Sequence, residues 1–254
     1  MLNREQRQNT LCQEALARLV QALRDASADL SVRVIVLRGA GDRVFCPGYD
    51  LGQLPSTAQD WVTRVANGEI VSREADVMML ATEAIANHRC PVIAMIHGPA
   101  LGSGLDLAVS CDMRLVDDRA SFGVAAVKRA VMYHPQGIRR LVDLVGLGAA
   151  KEILLSGNAV DAHRAREIGL VNHVYPAQDL ENATYALAEQ MAANAPMVMS
   201  GSKLVFSRLM RERGACLEDD DDIGRLMADC FASRDFQEGM RAFQEKREPL
   251  YEGR

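Results

Sequence analysis

His97 to Asp112 reads HGPALGSGLDLAVSCD, and the rest of the chain is best understood outward from it. It follows the apolar, proline-led run Pro91 to Ile96 (PVIAMI), which predicts a short buried strand bounded by Pro and Gly. Gly98, Pro99, Gly102 and Gly104 punctuate a tight turn, and Leu105 to Val109 then carry the spacing of a buried helix. A strand that passes through glycines into a helix leaves unpaired backbone N–H groups at the helix start. Those groups and the helix dipole stabilise a negative charge beside them. The charge is either a phosphate or the oxyanion that develops on a carbonyl during acyl chemistry. Asp106 lies about one helical turn beyond Gly102 and Ser103, so its carboxylate can reach the same spot. Taken alone, such a turn is more often a structural one carrying a surface Asp.

A second stretch repeats the pattern. Phe45-Cys46-Pro47-Gly48-Tyr49-Asp50-Leu51 follows the predicted strand Val32 to Leu37 and again enters a predicted helix through a glycine turn. With both in view the chain resembles the crotonase, or enoyl-CoA hydratase/isomerase, superfamily. Phe45, Gly48, Asp50 and Leu51 match its first motif, F-x-x-G-x-D-[LI]. Gly98, Ala100, Gly102, Gly104, Leu107, Ala108, Cys111 and Asp112 match its second, G-x-A-x-G-G-G-x-E-L-A…C-D. Later pieces agree in order: Ala120 to Gly123, Leu154 to Gly157, Ala165 to Asn172, and Glu238 to Arg247. The resemblance therefore covers essentially the whole chain.

The flanking sequence fits one soluble domain with a smaller helical lobe. At 254 residues, 48% hydrophobic and 25% charged, it can bury a full core. A net charge of −5 argues against a general nucleic-acid or anionic-membrane surface. No apolar run reaches the length of a membrane span, and the first residues do not look like a signal peptide. The six cysteines lack C-x-x-C spacing and H-E-x-x-H is absent, so no metal site is expected and a reduced cytoplasm is the simplest setting. Leu11 to Ala26 is an amphipathic helix with Leu11, Ala15, Leu19 and Leu23 at turn spacing. Further helices are predicted over Glu69 to His88, Ile138 to Leu144, Lys151 to Leu155, Ala162 to Ile168, Leu180 to Asn194, Met197 to Arg213 and Asp222 to Lys246. Asp112 to Val116 is a further strand, and the acidic run Glu218 to Asp222 is the solvated start of the last helix.

The resemblance implies an α/β crotonase (ClpP-like) fold, a spiral of ββα units followed by a helical oligomerisation region. It implies an acyl-CoA-binding core over 1–190 and a trimerisation region over 191–254. The partners so implied are an acyl-CoA thioester and two or five further copies, as a homotrimer or a dimer of trimers. No cofactor is implied beyond the coenzyme A of the substrate. The family holds the thioester oxygen with two backbone N–H groups, which by motif fall at Tyr49 and Ser103, the latter replacing a usual glycine. Its CoA contacts fall at Arg7, Asp50, Phe243 and Lys246. Its beginning is shorter than usual for the family: Met1 to Leu11 looks like the end of the usual second strand and the segment after it.

The acid/base positions depart from the hydratase pattern. The first family glutamate corresponds to Asp106, one methylene shorter, and the second falls at Ala126, which cannot transfer a proton. Tyr133 and His134 occupy positions where a decarboxylase branch uses tyrosine, and isomerase and dehalogenase branches use aspartate. A phenol can protonate an enolate or hydrogen-bond a departing carboxylate, and a histidine titrates near neutrality. Asp106, His134 and Tyr133 are therefore the expected catalytic residues. The expected reaction is hydration or double-bond isomerisation of an enoyl-CoA, with decarboxylation of a malonyl-type thioester or non-catalytic acyl-CoA binding as alternatives. Alternative structural roles are packing over the pocket for Tyr133 and capping of a turn for His134. Cys46 is expected to be a buried small hydrophobe and His97 a packed, hydrogen-bonded core residue.

Overall fold

Short strands alternate with helices along the chain, twice as a pair of strands followed by a helix. The computed structural model describes residues 1–50, 77–212, 225, 229 and 231–252. In chain order these form α1 (Gln13–Ala28), β1 (Ile35–Arg38), α2 (Val77–Ala86), β2 (Val92–Ile96), β3 (Ala100–Leu101), α3 (Ser103–Ser110), β4 (Met113–Asp117) and β5 (Ser121–Gly123). There follow α4 (Pro135–Ser156), β6 (Val160–Asp161), α5 (Ala162–Glu167), β7 (His173–Tyr175), α6 (Leu180–Ala192), α7 (Pro196–Glu212) and α8 (Arg234–Glu245). β1, β2, β4 and β7 lie side by side in one parallel sheet, in that order. β3, β5 and β6 form a second sheet, parallel between β3 and β5 and antiparallel between β5 and β6. The units β2–β3–α3 and β4–β5–α4 thus each give one strand to each sheet before their helix.

Period-two alternation explains why the large sheet is apolar on both sides. Val92, Ala94 and Ile96 of β2 enter the main core with Leu16, Ile85, Leu105 and Phe122. Ile93 and Met95 point the other way, onto Leu115 and onto Leu180 and Ala188 of α6. β2 is buried along its whole length because helices cover both faces.

Several boundaries differ from the sequence expectation for local reasons. α1 begins at Gln13 because Leu11 is engaged elsewhere: its N–H donates to Gly48 O (2.8 Å) and its carbonyl accepts from Asp50 N–H (2.8 Å). Its buried stripe is Leu16, Val20 and Leu23. β1 starts at Ile35, after a turn closed by Val32 N–H on Asp29 O. The two helices expected between Ile138 and Leu155 form one run from Pro135, interrupted at Gly146 (φ 76°, ψ 163°). α8 starts at Arg234, where the Ser233 hydroxyl accepts from Phe236 N–H. Leu51, the helix expected after it, the first turns of the Glu69–His88 helix and the acidic run Glu218 to Asp222 lie outside the described residues.

Two buried cations tie the layers together. Arg114 donates from Nε to Leu170 O (2.7 Å) and from Nη1 to Cys111 O (2.7 Å) and Ala108 O (3.4 Å), satisfying carbonyls at the C-terminal end of α3. Lys203 of α7 reaches Asp112 Oδ2 (2.7 Å), Cys90 O (3.1 Å) and Ile85 O (3.2 Å), while Asp112 Oδ2 also accepts from Val92 N–H (2.6 Å). Lys203→Met leaves that carboxylate short of its cation, and a loss of about 2–3 kcal/mol is expected, at or below the low end for a broken buried pair because Asp112 is partly solvated. A shift of the urea midpoint with an unchanged slope would show it.

Candidate active site

The two glycine turns face one another, and glycine is what lets them approach. Gly48 has φ +106°, and a Cβ placed on it would stand 3.0 Å from Leu101 O and 3.5 Å from Ser103 N. A Cβ on Gly104 would stand 2.2 Å from Cys46 O. Cys46 N–H donates to Pro99 O (3.1 Å) and Leu101 N–H to Cys46 O (2.9 Å), which stitches the turns in register. The peptide groups on either side of Tyr49 are bonded to Leu11, so the Tyr49 N–H points to the opposite side of that extended segment. Ser103 is the first residue of α3, with Gly102 as N-cap and no side-chain cap. The expected donors, Tyr49 N–H and Ser103 N–H, thus belong to two turns held in direct contact.

Gly102 is the hinge of the site. Its N–H donates to Gly123 O (2.8 Å), and its carbonyl accepts both from Asp106 N–H (3.1 Å) and from the Tyr133 hydroxyl (3.2 Å). Desolvation, and secondarily the Asp106 carboxylate, hold the Tyr133 phenol well above its ordinary pKa, with Arg140 opposing. It is protonated at neutral pH. Gly137 brings the phenol and the carboxylate together: a Cβ there would lie 2.7 Å from Tyr133 Cε1 and 3.3 Å from Asp106 Oδ2.

Asp106 is buried, and both its oxygens are engaged by Arg140 of α4, Nε to Oδ1 at 3.0 Å and Nη2 to Oδ2 at 2.9 Å. This two-pronged ion pair is the strong form of guanidinium–carboxylate contact. Sequence reasoning missed Arg140. No local signal pairs it with Asp106, 34 positions away in the chain. His134 is the N-cap of α4, its Nδ1 accepting from Gln136 N–H at 3.3 Å. Ala126, where the family has its second glutamate, is half-buried against the main core.

The expected CoA residues form two groups. Asp50 Oδ2 lies 3.4 Å from Arg7 Nη1 and 3.3 Å from Nη2 of Arg4, a partner the sequence reading did not name. Phe243 and Lys246 are exposed at the end of α8, Phe243 beneath the Arg129 guanidinium at 5.3 Å and Lys246 as the left-handed C-cap. α8 and the segment after it grip the turn Val127–Arg129: a Cβ on Gly239 would lie 2.6 Å from Arg129 O, and Tyr251 Oη donates to Lys128 O at 2.7 Å.

Burial pushes the Cys46 thiol up to about 12, so it is a packed thiol and not a nucleophile. His97 is packed as expected, but its Nε2 has no hydrogen-bond partner. Desolvation is the main reason its pKa falls. Among the described residues no cluster of three or more His, Cys, Asp or Glu side chains could hold a metal ion, and no helix is long and apolar enough to cross a membrane.

The α/β fold, with two glycine turns held in contact beside a buried carboxylate, is the crotonase fold, and solved structures agree. Methylmalonyl-CoA decarboxylase in complex with 2-nitronate-propionyl-CoA superimposes with a TM-score of 0.88 at 28% identity, over 99% of this chain and 93% of that one. Residues 1–254 match the sequence model of the enoyl-CoA hydratase/isomerase family, and the chain belongs to that family. The putative enoyl-CoA hydratase/isomerase YngF of Bacillus subtilis is 33% identical over 99% of this chain and 93% of its own length. The mitochondrial methylglutaconyl-CoA hydratase of Mus musculus is 31% identical over 99% of this chain and 78% of its own. The protein is an enzyme of this family, for which an acyl-CoA is the expected substrate.

Proposed function

We propose that this enzyme decarboxylates a malonyl-type CoA thioester. The observation that carries the reading is the state of the carboxylates: Ala126 replaces one, and Arg140 engages both oxygens of the other. Hydration needs groups that activate water and deliver a proton, whereas loss of CO2 needs no base. In the proposed step the bond between Cα and the carboxylate breaks and its electron pair forms the Cα=C bond. The thioester oxygen takes the negative charge, held by Tyr49 N–H and Ser103 N–H, and CO2 departs. The Tyr133 hydroxyl then protonates Cα, and solvent restores the phenol. One preorganised donor of this kind typically lowers a barrier by about 3 kcal/mol. His134 serves the reading as the N-cap of α4. Arg7, with its side chain 64% exposed, offers a cation for a CoA phosphate, with Asp50 orienting it and Phe243 and Lys246 flanking the nucleotide. The region 191–254 is assigned to a trimer or hexamer interface, supported by exposed Met197, Val198, Leu204, Val205, Phe206 and Leu209 on α7.

Hydration or isomerisation is the second reading, favoured by the names of the sequence relatives. There Asp106 would transfer the proton, with Tyr133 or His134 as partner. A panel of alkylmalonyl-, enoyl- and dienoyl-CoA thioesters, followed by mass spectrometry of the products, separates them. Loss of CO2 is the expected result. Water addition or a double-bond shift without CO2 would replace the proposal with the second reading, and tight CoA binding without turnover would make the chain a binding homologue.

A further inference from the structure

We infer that Tyr251 is a positioning residue for the reaction: by donating its hydroxyl to Lys128 O it fixes the turn from which Tyr133 is presented to the site. The inference rests on the reading of Tyr133 as the acid that protonates Cα. Residues 124–134 join β5 to α4 and contain both Ala126 and Tyr133. The backbone hydrogen bonds that shape this connection run within it: Arg129 N–H to Ala126 O (2.9 Å), Val131 N–H to Ala126 O (3.0 Å) and Lys128 N–H to Ala125 O (3.2 Å). They close the turn without fixing where it lies on the protein. Ala130 is held at φ 52°, a left-handed conformation that a residue with a Cβ keeps where its surroundings impose it. Contacts from outside the turn are therefore needed. Lys128 Nζ on Asn158 Oδ1 (2.8 Å) supplies one through an exposed side chain, and α8 with the segment after it supplies the others.

Tyr251 is itself held rigidly. Lys246 turns the chain back at the end of α8 with φ 54°. Leu250 N–H then donates to Glu238 Oε1 (3.1 Å) and Glu252 N–H to Asp235 Oδ1 (2.7 Å), so the backbone is pinned to α8 on both sides of Tyr251. Arg247 grips the same Glu238 carboxylate with two prongs, Nη1 to Oε1 at 2.6 Å and Nη2 to Oε2 at 3.0 Å. From that frame the Tyr251 hydroxyl reaches Lys128 O at 2.7 Å, and it would lie 3.1 Å from a Cβ on Gly239. Desolvation, and next Asp235, raise the pKa of this phenol, so it remains a donor at neutral pH. Tyr133 follows Lys128 in the same connection, before α4 begins, so a shift of the turn is passed on to its phenol.

Amide hydrogen exchange, read by mass spectrometry, is compared between the parent and Tyr251→Phe, beside kcat and KM for CO2 release from methylmalonyl-CoA. Phenylalanine keeps the ring and removes only the donor. Exchange in the peptide covering residues 124–134 is expected to rise by about fivefold, the net worth of a single hydrogen bond, with the β2 peptide unchanged. kcat should fall by about the same factor, and KM should stay within about twofold. Because Tyr251 acts through Tyr133, Tyr251→Phe should cost nothing further in a Tyr133→Phe background. A purely structural role would slow both backgrounds alike. Unchanged exchange in 124–134, exchange raised equally throughout the chain, or additive losses in kcat would each overturn the inference. Absence of CO2 release by the parent defeats the decarboxylase reading instead, and the exchange comparison then decides whether Tyr251 fixes the turn.

Discussion

Tyr133→Phe is expected to slow CO2 release from a malonyl-type thioester by about 100-fold in kcat, the lower range for loss of a positioned acid. KM should change by less than about threefold, because the ring and its packing against Gly137 are kept. Two losses combine. The variant lacks the proton that quenches the enolate, and it leaves Gly102 O with Asp106 N–H as its remaining donor of the two. Steady-state kinetics on methylmalonyl-CoA, paired with a thermal melt, checks it. A variant within threefold of the parent would remove Tyr133 from the chemistry. The high pKa of the phenol adds a sign to the pH profile: no loss of rate through deprotonation of Tyr133 is expected as pH rises from neutrality toward its ordinary value.

Gly104→Ala is expected to be as damaging through shape alone. The new methyl would stand 2.2 Å from Cys46 O and 2.8 Å from both Cβ and Sγ of Cys46. Backbone cannot yield cheaply there, because Cys46 is bonded to Pro99 and Leu101 on the facing segment. The turns must separate, carrying Tyr49 N–H away from Ser103 N–H. Loss of one donor's alignment lowers kcat by about 100-fold or more, and the overpacking costs roughly 1–3 kcal/mol of stability. Kinetics beside a denaturant titration separates the two. An active Gly104→Ala would mean that the donors are not these.

Much of this arrangement was legible in the sequence because local rules produced it. Pro91 to Ile96 could only be a buried strand, and Gly48, Gly102 and Gly104 announced turns that a side chain would block. The resemblance then linked the two turns. What sequence could not give was partnership between distant side chains. Arg140 reads locally as one of two arginines on a helix, and only the packing of α4 on α3 aims it at Asp106. Arg4, Lys203 and the grip of α8 and the segment after it on the Val127–Arg129 turn are of the same kind, joining residues 46, 91 and more than 100 positions apart. Helix starts were misjudged where a tertiary bond overrode periodicity, as at Leu11.

The Gly102 carbonyl and the Ser103 N–H are two ends of one amide. Hydrogen bonds donated to that carbonyl by Tyr133 and Asp106 draw electron density toward oxygen, leaving the nitrogen end more positive. Gly102 N–H on Gly123 O fixes the preceding amide as well. The dipole that would receive a thioester oxyanion is therefore both aimed and strengthened when the chain folds, before any substrate arrives. In the resting site the phenol thus sits at the carbonyl end of the amide whose other end is the expected donor.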